Sequence, residues 1–136
     1  MLNLAYKISY HFVAQLEFAE FYLNSQLGIL LVYYYPNSKI DESKAQMVIE
    51  TVEPILKQGV LYGLTDARAG GLHITREARE MYSDNASLRL NKKHAIVVNN
   101  HATRILATLF VQINKPIIPT KVFNSINSAE DWLVKN

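Results

Sequence analysis

The sequence predicts an α/β fold in which helices cover a mixed sheet. The sheet consists of an antiparallel N-terminal hairpin followed by parallel strands, in the order β-β-α-β-α-β-α-β-α. Three observations predict this fold. Short apolar runs alternate along the chain with longer segments whose apolar residues recur every three or four positions. The runs after the hairpin lack polar alternation, as expected of strands buried on both faces. Strands joined by helical segments pair in parallel through crossover connections.

The hairpin and the helix after it are predicted from residues 20–59. The stretch EFYLNSQLGILLVYYY, residues 20–35, places two runs of β-forming residues around a turn that ends in Gly28. Asp41 is the expected N-cap of the first helix, since aspartate accepts hydrogen bonds from unpaired backbone N–H groups there. Pro54 is expected to kink or cut the last turn of this helix.

Later elements follow the same alternation of apolar runs and helical periods. The other predicted strands are 60–64, 94–98 and 120–125. The other predicted helices are one that opens at Thr75 and breaks near Asp84-Asn85, one over 101–114, and a last one in which Asn127 and Glu130 are spaced as a capping box. Residues 1–16 are a separate N-terminal extension, and an extra strand, an extra helix and a loose tail all remain open for them.

Length and composition limit the number of domains, the class of partner and the location that we expect. A length of 136 residues fits one domain, 1–136. The 14 basic and 12 acidic residues give a net charge of +2, which offers no argument for nucleic acid as a partner. No apolar run reaches the roughly 18 residues that span a bilayer, so stable membrane insertion is not expected. The N-terminal stretch lacks a basic region before its apolar residues, which favours a cytoplasmic location over secretion.

Polar residues follow two predicted parallel strands and form a candidate binding site. Asp66 and Arg68 come after the strand 60–64, and Asn99, His101 and Arg104 come after the strand 94–98. The carboxyl ends of parallel strands lie on one edge of a sheet, and ligands bind at that edge. Simpler interpretations are favoured for these residues. For Asp66 and Arg68 the simpler interpretation is a local ion pair or an Asx turn, and for Asn99 it is an N-cap.

Thr75 and Arg76 extend this candidate site into the next helix. A threonine hydroxyl at a helix N-terminus either caps the helix or accepts a phosphoryl group that the helix dipole would favour. Capping alone accounts for the residue and is the favoured interpretation. The segment 75–80, TREARE, is expected to present its charges, Arg79 included, on a solvated helix face joined by ion pairs at i, i+3 spacing.

The sequence gives no pattern for a metal, a cofactor or a catalytic set. The chain has no cysteine, which excludes disulfides, thiolate metal sites and cysteine nucleophiles. Its 4 histidines lack metal-ligand spacing, so neither a metal nor a cofactor is expected. The GxSxG nucleophile motif is absent, and no nucleophile, base and oxyanion donors converge in the sequence. The protein is therefore not expected to be an enzyme.

Three stretches of the chain carry a family resemblance. They are GILLVYYYP at 28–36, LTDARAGGLHITREARE at 64–80, and the segment 91–133 that ends in Trp132-Leu133. With these residues the chain resembles the STAS-like domains, which have the fold of the SpoIIAA anti-sigma-factor antagonist. More closely, it resembles small bacterial proteins of unknown function that are labelled STAS/SEC14-like. The resemblance implies one STAS-like domain with a SpoIIAA-like mixed sheet.

The resemblance also bears on Asp66 and Thr75. In the SpoIIAA group an aspartate ends the third strand, and an Asp-Ser-Ser-Gly motif, whose serine a partner kinase phosphorylates, opens the next helix. Asp66 matches that aspartate, and Thr75 stands about where the phosphorylated serine would be. The residues 74–77 are Ile-Thr-Arg-Glu, so the motif is replaced and its glycine is missing. Thr75 as a phospho-acceptor therefore receives only weak support.

Two functions follow as expectations. The first is a non-catalytic regulatory or protein-interaction module, which implies a protein partner or self-association, for example as a homodimer through an edge strand. The alternative is a small-molecule or lipid-binding protein that uses the loops at the carboxyl ends of the parallel strands. The space beneath the loop 66–75 distinguishes them. A filled sheet edge favours the interaction module, and a deep apolar cavity favours the ligand-binding protein.

Overall fold

A computed structural model describes residues 9–99, 101, 104–105, 107–108 and 117–135. In this part of the chain a mixed sheet carries helices on both faces. The strands are β1 His11–Leu16, β2 Ala19–Asn24, β3 Ile29–Tyr34, β4 Lys39–Ile40, β5 Tyr62–Asp66, β6 His73–Ile74, β7 Lys93–Val97 and β8 Thr120–Phe123. The helices are α1 Glu42–Leu56, α2 Arg76–Asp84 and α3 Ile126–Val134, with a 3-10 turn at Leu88–Leu90.

The main sheet has six strands in the order β1-β2-β3-β5-β7-β8. β1, β2 and β3 pair antiparallel, and the remaining neighbours pair in parallel. The predicted fold class, with its antiparallel hairpin and parallel strands, is confirmed. Asp66 lies opposite Tyr33 on one side and Val97 on the other, so three strands end in register at the carboxyl edge. A second, two-residue parallel pairing of β4 with β6 was not predicted.

Part of the N-terminal extension is a strand. Residues His11–Leu16 form β1, which pairs with β2 and adds an antiparallel edge, with a register shift between Phe12 and Ala14. Most of its side chains are exposed or half-buried. A strand with this little burial has no clear apolar period, which is why the sequence left three possibilities open. Residues 1–8 lie outside the described residues.

The first helix keeps its predicted cap but not its predicted break. The Asp41 carboxylate accepts a hydrogen bond from the Lys44 backbone N–H at 3.0 Å. Pro54 lies inside α1, which continues to Leu56, so the expected cut was wrong. A proline removes its own N–H from the helix, and its ring crowds the carbonyl four residues earlier. The next turn still closes, because the Lys57 N–H donates to the Glu53 carbonyl at 3.2 Å.

The last helix begins two residues earlier than its predicted capping box requires. Ser125, not Asn127, is the N-cap of α3, and its hydroxyl accepts from the Ser128 backbone N–H at 3.1 Å. The box was wrong because Asn127 already lies inside the helix. The predicted helix 101–114 falls partly outside the described residues, of which 101, 104–105 and 107–108 are helical.

The core consists of apolar layers on the two faces of the sheet. On one face, here called the α1–α2 face, Phe21, Leu30, Val48 and Ala78 pack between the strands and the first two helices. On the other, the α3 face, residues of the strands pack against the last helix. These include Tyr22, Leu31, Leu64, Val97, Ala129 and Leu133. Both faces are therefore covered, as a parallel sheet requires.

Candidate functional site

The joint after β5 is a buried ion pair combined with a tight turn. Asp66 is 1 % exposed at the end of the strand. Its two carboxylate oxygens accept hydrogen bonds from Nε and Nη2 of Arg68, each at 2.9 Å. The Arg68 backbone N–H also donates to Oδ1 at 3.0 Å. The ion pair and the Asx turn favoured by the sequence are thus both present, and they close the edge of the sheet at this point.

The next strand end reaches the same joint. The Asn99 side-chain amide donates to the Arg68 carbonyl at 3.0 Å, and the Ala67 N–H donates to the Val97 carbonyl at 2.8 Å. The structure thus brings Asp66, Arg68 and Asn99 together at one edge, as their positions after parallel strands require. His101 and Arg104 follow in helical residues and are exposed.

Thr75 and Arg76 are held by contacts of their own. The Thr75 hydroxyl accepts from the Ala78 backbone N–H at 3.2 Å, which is the expected N-cap. The Thr75 N–H donates to the Ile40 carbonyl at 2.9 Å, so the cap is tied to the short β4–β6 pairing. Arg76 forms an exposed ion pair with Glu80 at 3.1 Å. Phosphorylation of Thr75 stays a prediction.

The Thr75 cap gives a direct test. Replacing Thr75 with alanine is expected to lower the free energy of unfolding by about 1 kcal/mol, because the Ala78 N–H loses its acceptor. Urea denaturation measures this loss, and Thr75→Ser, which keeps a hydroxyl, is the matched control. A Thr75→Ala variant as stable as the wild type would mean that the hydroxyl does not stabilise the helix.

A large cavity lies between the α1–α2 face and the helices that cover it. Its volume is about 610 Å³. Most of its walls are apolar side chains of β3, α1, β7 and the segments that follow β5 and α2, including Leu30, Val32, Val48, Val52, Leu72, Leu88, Ile96 and Val98. In the part of the chain that the structure describes, α1 and α2 thus leave space above the sheet unfilled.

A neutral polar group forms part of the cavity wall. The Thr65 hydroxyl and Nε2 of His94 are 2.8 Å apart, on the neighbouring strands β5 and β7. The imidazole lies against Gly63, where an added Cβ would be only 2.5 Å from Nδ1. Burial lowers the pKa of His94 from 6.5 to about 4, so the ring is neutral at pH 7. Histidine is accommodated inside the sheet because its strand neighbour is a glycine.

Asn91 extends this polar group. The residue is 7 % exposed and lines the cavity just before β7. Its Oδ1 is buried and has no hydrogen-bond partner among the described residues. A buried acceptor without a partner costs about 1–3 kcal/mol, so such groups commonly face a water or a ligand. We refer to Thr65, His94 and Asn91 together as the neutral polar group of the cavity.

Arg79 brings a charge to the cavity, which contradicts its predicted place on a solvated face. Its neighbours Arg76 and Glu80 are exposed as expected, but Arg79 is half-buried and lines the cavity. Its Nη1 donates to the Ile74 carbonyl at 2.9 Å. The signal that could have placed it is Tyr82, which also lines the cavity, since positions three residues apart lie on the same face of a helix.

Some kinds of site are absent from the described ranges. Within them, no three His, Cys, Asp or Glu side chains come close enough together to hold a metal ion. None of the helices found in the same ranges has the length and apolar character needed to cross a membrane.

Comparisons with known proteins agree with this fold. Residues 21–136 match the family described as a domain of unknown function, DUF7793. A solved structure of an uncharacterized protein from the DUF3478 family with a SpoIIAA-like fold, from Shewanella loihica PV-4, is similar at a TM-score of 0.59 and 12 % sequence identity. The similarity covers 91 % of each chain. No curated protein matches the chain. The predicted STAS-like, SpoIIAA-like fold is confirmed.

Proposed function

The chain belongs to the DUF7793 family of domains of unknown function, and we propose that it binds a small apolar molecule in the cavity between the sheet and helices α1 and α2. The observation that carries this proposal is a partly open cavity of about 610 Å³ that is lined mainly by apolar side chains. Of the two functions expected from the sequence, this is the ligand-binding alternative, with the ligand beneath the helices instead of at the strand-end loops.

The size and lining of the cavity support binding over a packing defect. Protein interiors are close-packed, and few of their voids exceed the size of a water molecule. Small-molecule sites, in contrast, are clefts of about 300–1,000 Å³ with apolar walls and a few polar groups. The cavity fits this second description. Val32 and Ile96, which are only half-buried, would lose their remaining accessible surface to a bound molecule, and that burial would drive binding.

The carboxyl edge is filled, as expected of an interaction module, and the apolar cavity beneath the helices is the feature that favours ligand binding. At that edge the bidentate Asp66–Arg68 pair and the Asn99 amide satisfy one another, so the joint is already filled by the chain's own side chains. A distinct protein-binding surface is therefore not needed to explain these residues. Among the described residues, in contrast, no side chain fills the cavity in this way.

The neutral polar group supports binding without catalysis. A hydroxyl beside an imidazole is the beginning of a nucleophile and base arrangement. Two features work against it here. With a pKa of about 4, His94 is a weak base at pH 7. The side-chain Oδ1 of Asn91 accepts no hydrogen bond among the described residues, so it does not orient the imidazole. We therefore propose a binding protein and not an enzyme.

The test fills the cavity without disturbing the rest of the molecule. Val32→Phe adds an aromatic ring to a strand residue that lines the cavity, and Val134→Phe makes the same change at an exposed position of α3. The probe is Nile red, a neutral apolar dye, because the single tryptophan, Trp132, packs on the α3 face and would not report on the cavity. We expect the wild type and Val134→Phe to bind the dye, and Val32→Phe to bind about tenfold more weakly or not at all.

Stability is the control in the same experiment. Filling unoccupied space commonly leaves a protein as stable or raises its stability by about 0.5–2 kcal/mol. Val32→Phe is therefore expected to unfold at or above the wild-type temperature while it loses dye binding. A wild type that does not bind Nile red, or a Val32→Phe variant that binds it as well as the wild type, would overturn the proposed function.

A further inference from the structure

We propose that the ligand is an uncharged molecule with an apolar body and one hydroxyl group, which donates a hydrogen bond to Oδ1 of Asn91 while the apolar body occupies the cavity. This inference rests on the proposed function and names the chemical class of the molecule that the cavity takes. The observation that carries it is a buried acceptor oxygen, in a residue that lines the cavity, with no hydrogen-bond partner among the described residues.

Asn91 belongs to a contiguous polar spot in the cavity wall. Gly63 and His94 lie opposite each other on β5 and β7. A Cβ added at Gly63 would lie 2.5 Å from Nδ1 of His94 and 3.1 Å from Nδ2 of Asn91, so the imidazole and the amide reach the same point above the glycine. The Thr65 hydroxyl forms a hydrogen bond with the other ring nitrogen, Nε2, at 2.8 Å. The neutral polar group is thus one place in a mainly apolar wall where a ligand's polar group can bind.

Other polar side chains of the wall are already engaged by the chain itself. Nη1 of Arg79 donates to the Ile74 carbonyl at 2.9 Å, and Arg79 has a further interaction within the chain. The hydroxyls of Tyr34 and Tyr82 face each other at 3.5 Å. Oδ1 of Asn91 differs from these groups, because a buried acceptor without a partner destabilises the folded protein until a donor reaches it. A ligand that brings one donor removes this cost as it binds.

The missing partner is a hydrogen-bond donor, which narrows the polar group of the ligand. A carboxylate has no hydrogen to donate at pH 7 and would place negative charge beside an acceptor oxygen. An ammonium group can donate, but none of the described lining residues is an aspartate or a glutamate that would balance its charge. An ether leaves Oδ1 unpaired, and a primary amide brings two N–H donors where one acceptor is available. A hydroxyl supplies one donor and carries no charge.

The experiment compares five probes that share a ten-carbon chain. They are decanol, its methyl ether, decanamide, decanoate and decylammonium, each measured by displacement of Nile red at pH 7.5, below its solubility limit and micelle concentration. Three proteins are compared, namely the wild type, Asn91→Leu and Asn127→Leu. Asn91→Leu replaces the amide with an apolar group of nearly the same size. Asn127→Leu is the matched control, because it makes the same change at an exposed position of α3.

In the wild type and in Asn127→Leu we expect decanol to bind about tenfold or more tightly than its methyl ether, since a hydrogen bond to an otherwise unpaired acceptor adds to apolar burial. In Asn91→Leu that preference should disappear, while binding of the ether should stay within about threefold of the wild type. If Asn91→Leu does not fold, NMR of the wild type decides the question. A shift of the Asn91 side-chain amide signals that decanol causes and the ether does not would support the assignment, and equal shifts would oppose it.

The outcomes separate this inference from the proposed function. Equal binding of decanol and its methyl ether by the wild type, an unchanged preference in Asn91→Leu, or tighter binding of decanamide, decanoate or decylammonium than of decanol would overturn the hydroxyl assignment. The cavity would remain a binding site in each of these cases. Failure of Nile red and of all five probes to bind the wild type would instead overturn the proposed function itself.

Discussion

Acidification from pH 7 to pH 4 is expected to remove about 3 kcal/mol of the free energy of unfolding through His94 alone. The reason is that burial lowers the pKa of this imidazole from 6.5 to about 4 in the folded protein. Above pH 6.5 the histidine is neutral in both states, so it makes no difference to stability there. Between pH 6.5 and pH 4 the unfolded chain takes up a proton that the folded protein excludes.

The sign of the effect follows from this proton balance. Stability falls as the pH decreases through this window, by about 1.4 kcal/mol per pH unit, and the contribution levels off once the folded protein also takes up the proton. Urea unfolding of the wild type and of His94→Gln at half-unit steps from pH 7.5 to pH 4 measures it. Because other groups titrate in the same window, the difference between the two proteins isolates the histidine.

The matched control is Thr65→Val, which removes the hydroxyl 2.8 Å from Nε2 but leaves the ring buried. Since desolvation is the cause of the lowered pKa, this variant should keep most of the pH slope that His94→Gln loses. Parallel pH profiles for the wild type and His94→Gln would contradict the burial of a neutral imidazole in the cavity wall.

The Asp66→Ala variant is expected to lose about 3 kcal/mol of the free energy of unfolding, the low end of the usual cost of removing one partner from a buried ion pair. Asp66 is 1 % exposed, and its carboxylate holds the guanidinium of Arg68 and an N–H of the turn. The loss lies at the low end because the Arg68 side chain is 33 % exposed and can turn toward water.

Glu80→Gln is the matched control for this variant. It breaks the exposed Arg76–Glu80 pair, whose side chains are 81 % and 61 % exposed, and exposed pairs contribute about 0.2–1 kcal/mol. Chemical denaturation of both variants at pH 7 makes the comparison. If Asp66→Ala lowered the free energy of unfolding no more than Glu80→Gln does, the joint after β5 would not hold the sheet edge together.

Local signals in the sequence predicted much of the fold. Asp41 and Thr75 cap their helices as expected, because a cap depends on one side chain and the backbone three residues later. The parallel strands were predicted because their apolar runs lack the polar alternation of a sheet that has one solvent-exposed face. The meeting of Asn99 with the Arg68 loop then follows from topology, since parallel strands end at one edge.

Features that depend on distant partners were not predictable in the same way. β4 and β6 are two-residue strands, and they pair although 32 residues separate Ile40 from His73. The edge strand β1 carries a register shift and little burial, so its residues show no clean alternation. In each case the stabilising contacts come from another part of the chain.

The candidate site was predictable only in part. Its position next to the segments after β5 and β7 follows from the sequence, but the cavity does not, because periodicity shows which residues are apolar and not how fully two helices fill the space above a sheet. Arg79 was assigned to a solvated face because three other charges surround it. His94 gave one signal that could have been used, namely a lone histidine in an apolar strand, facing Gly63 on the neighbouring strand.

The most direct test of the proposed binding site is a methyl NMR titration of the protein with Nile red. Binding in the cavity predicts chemical-shift changes at Val32 and Ile96, which line it, with the methyl groups of Leu31 and Leu133 on the α3 face unchanged. Changes confined to the α3 face, or no saturable change at any methyl group, would contradict the claim that this cavity holds the ligand.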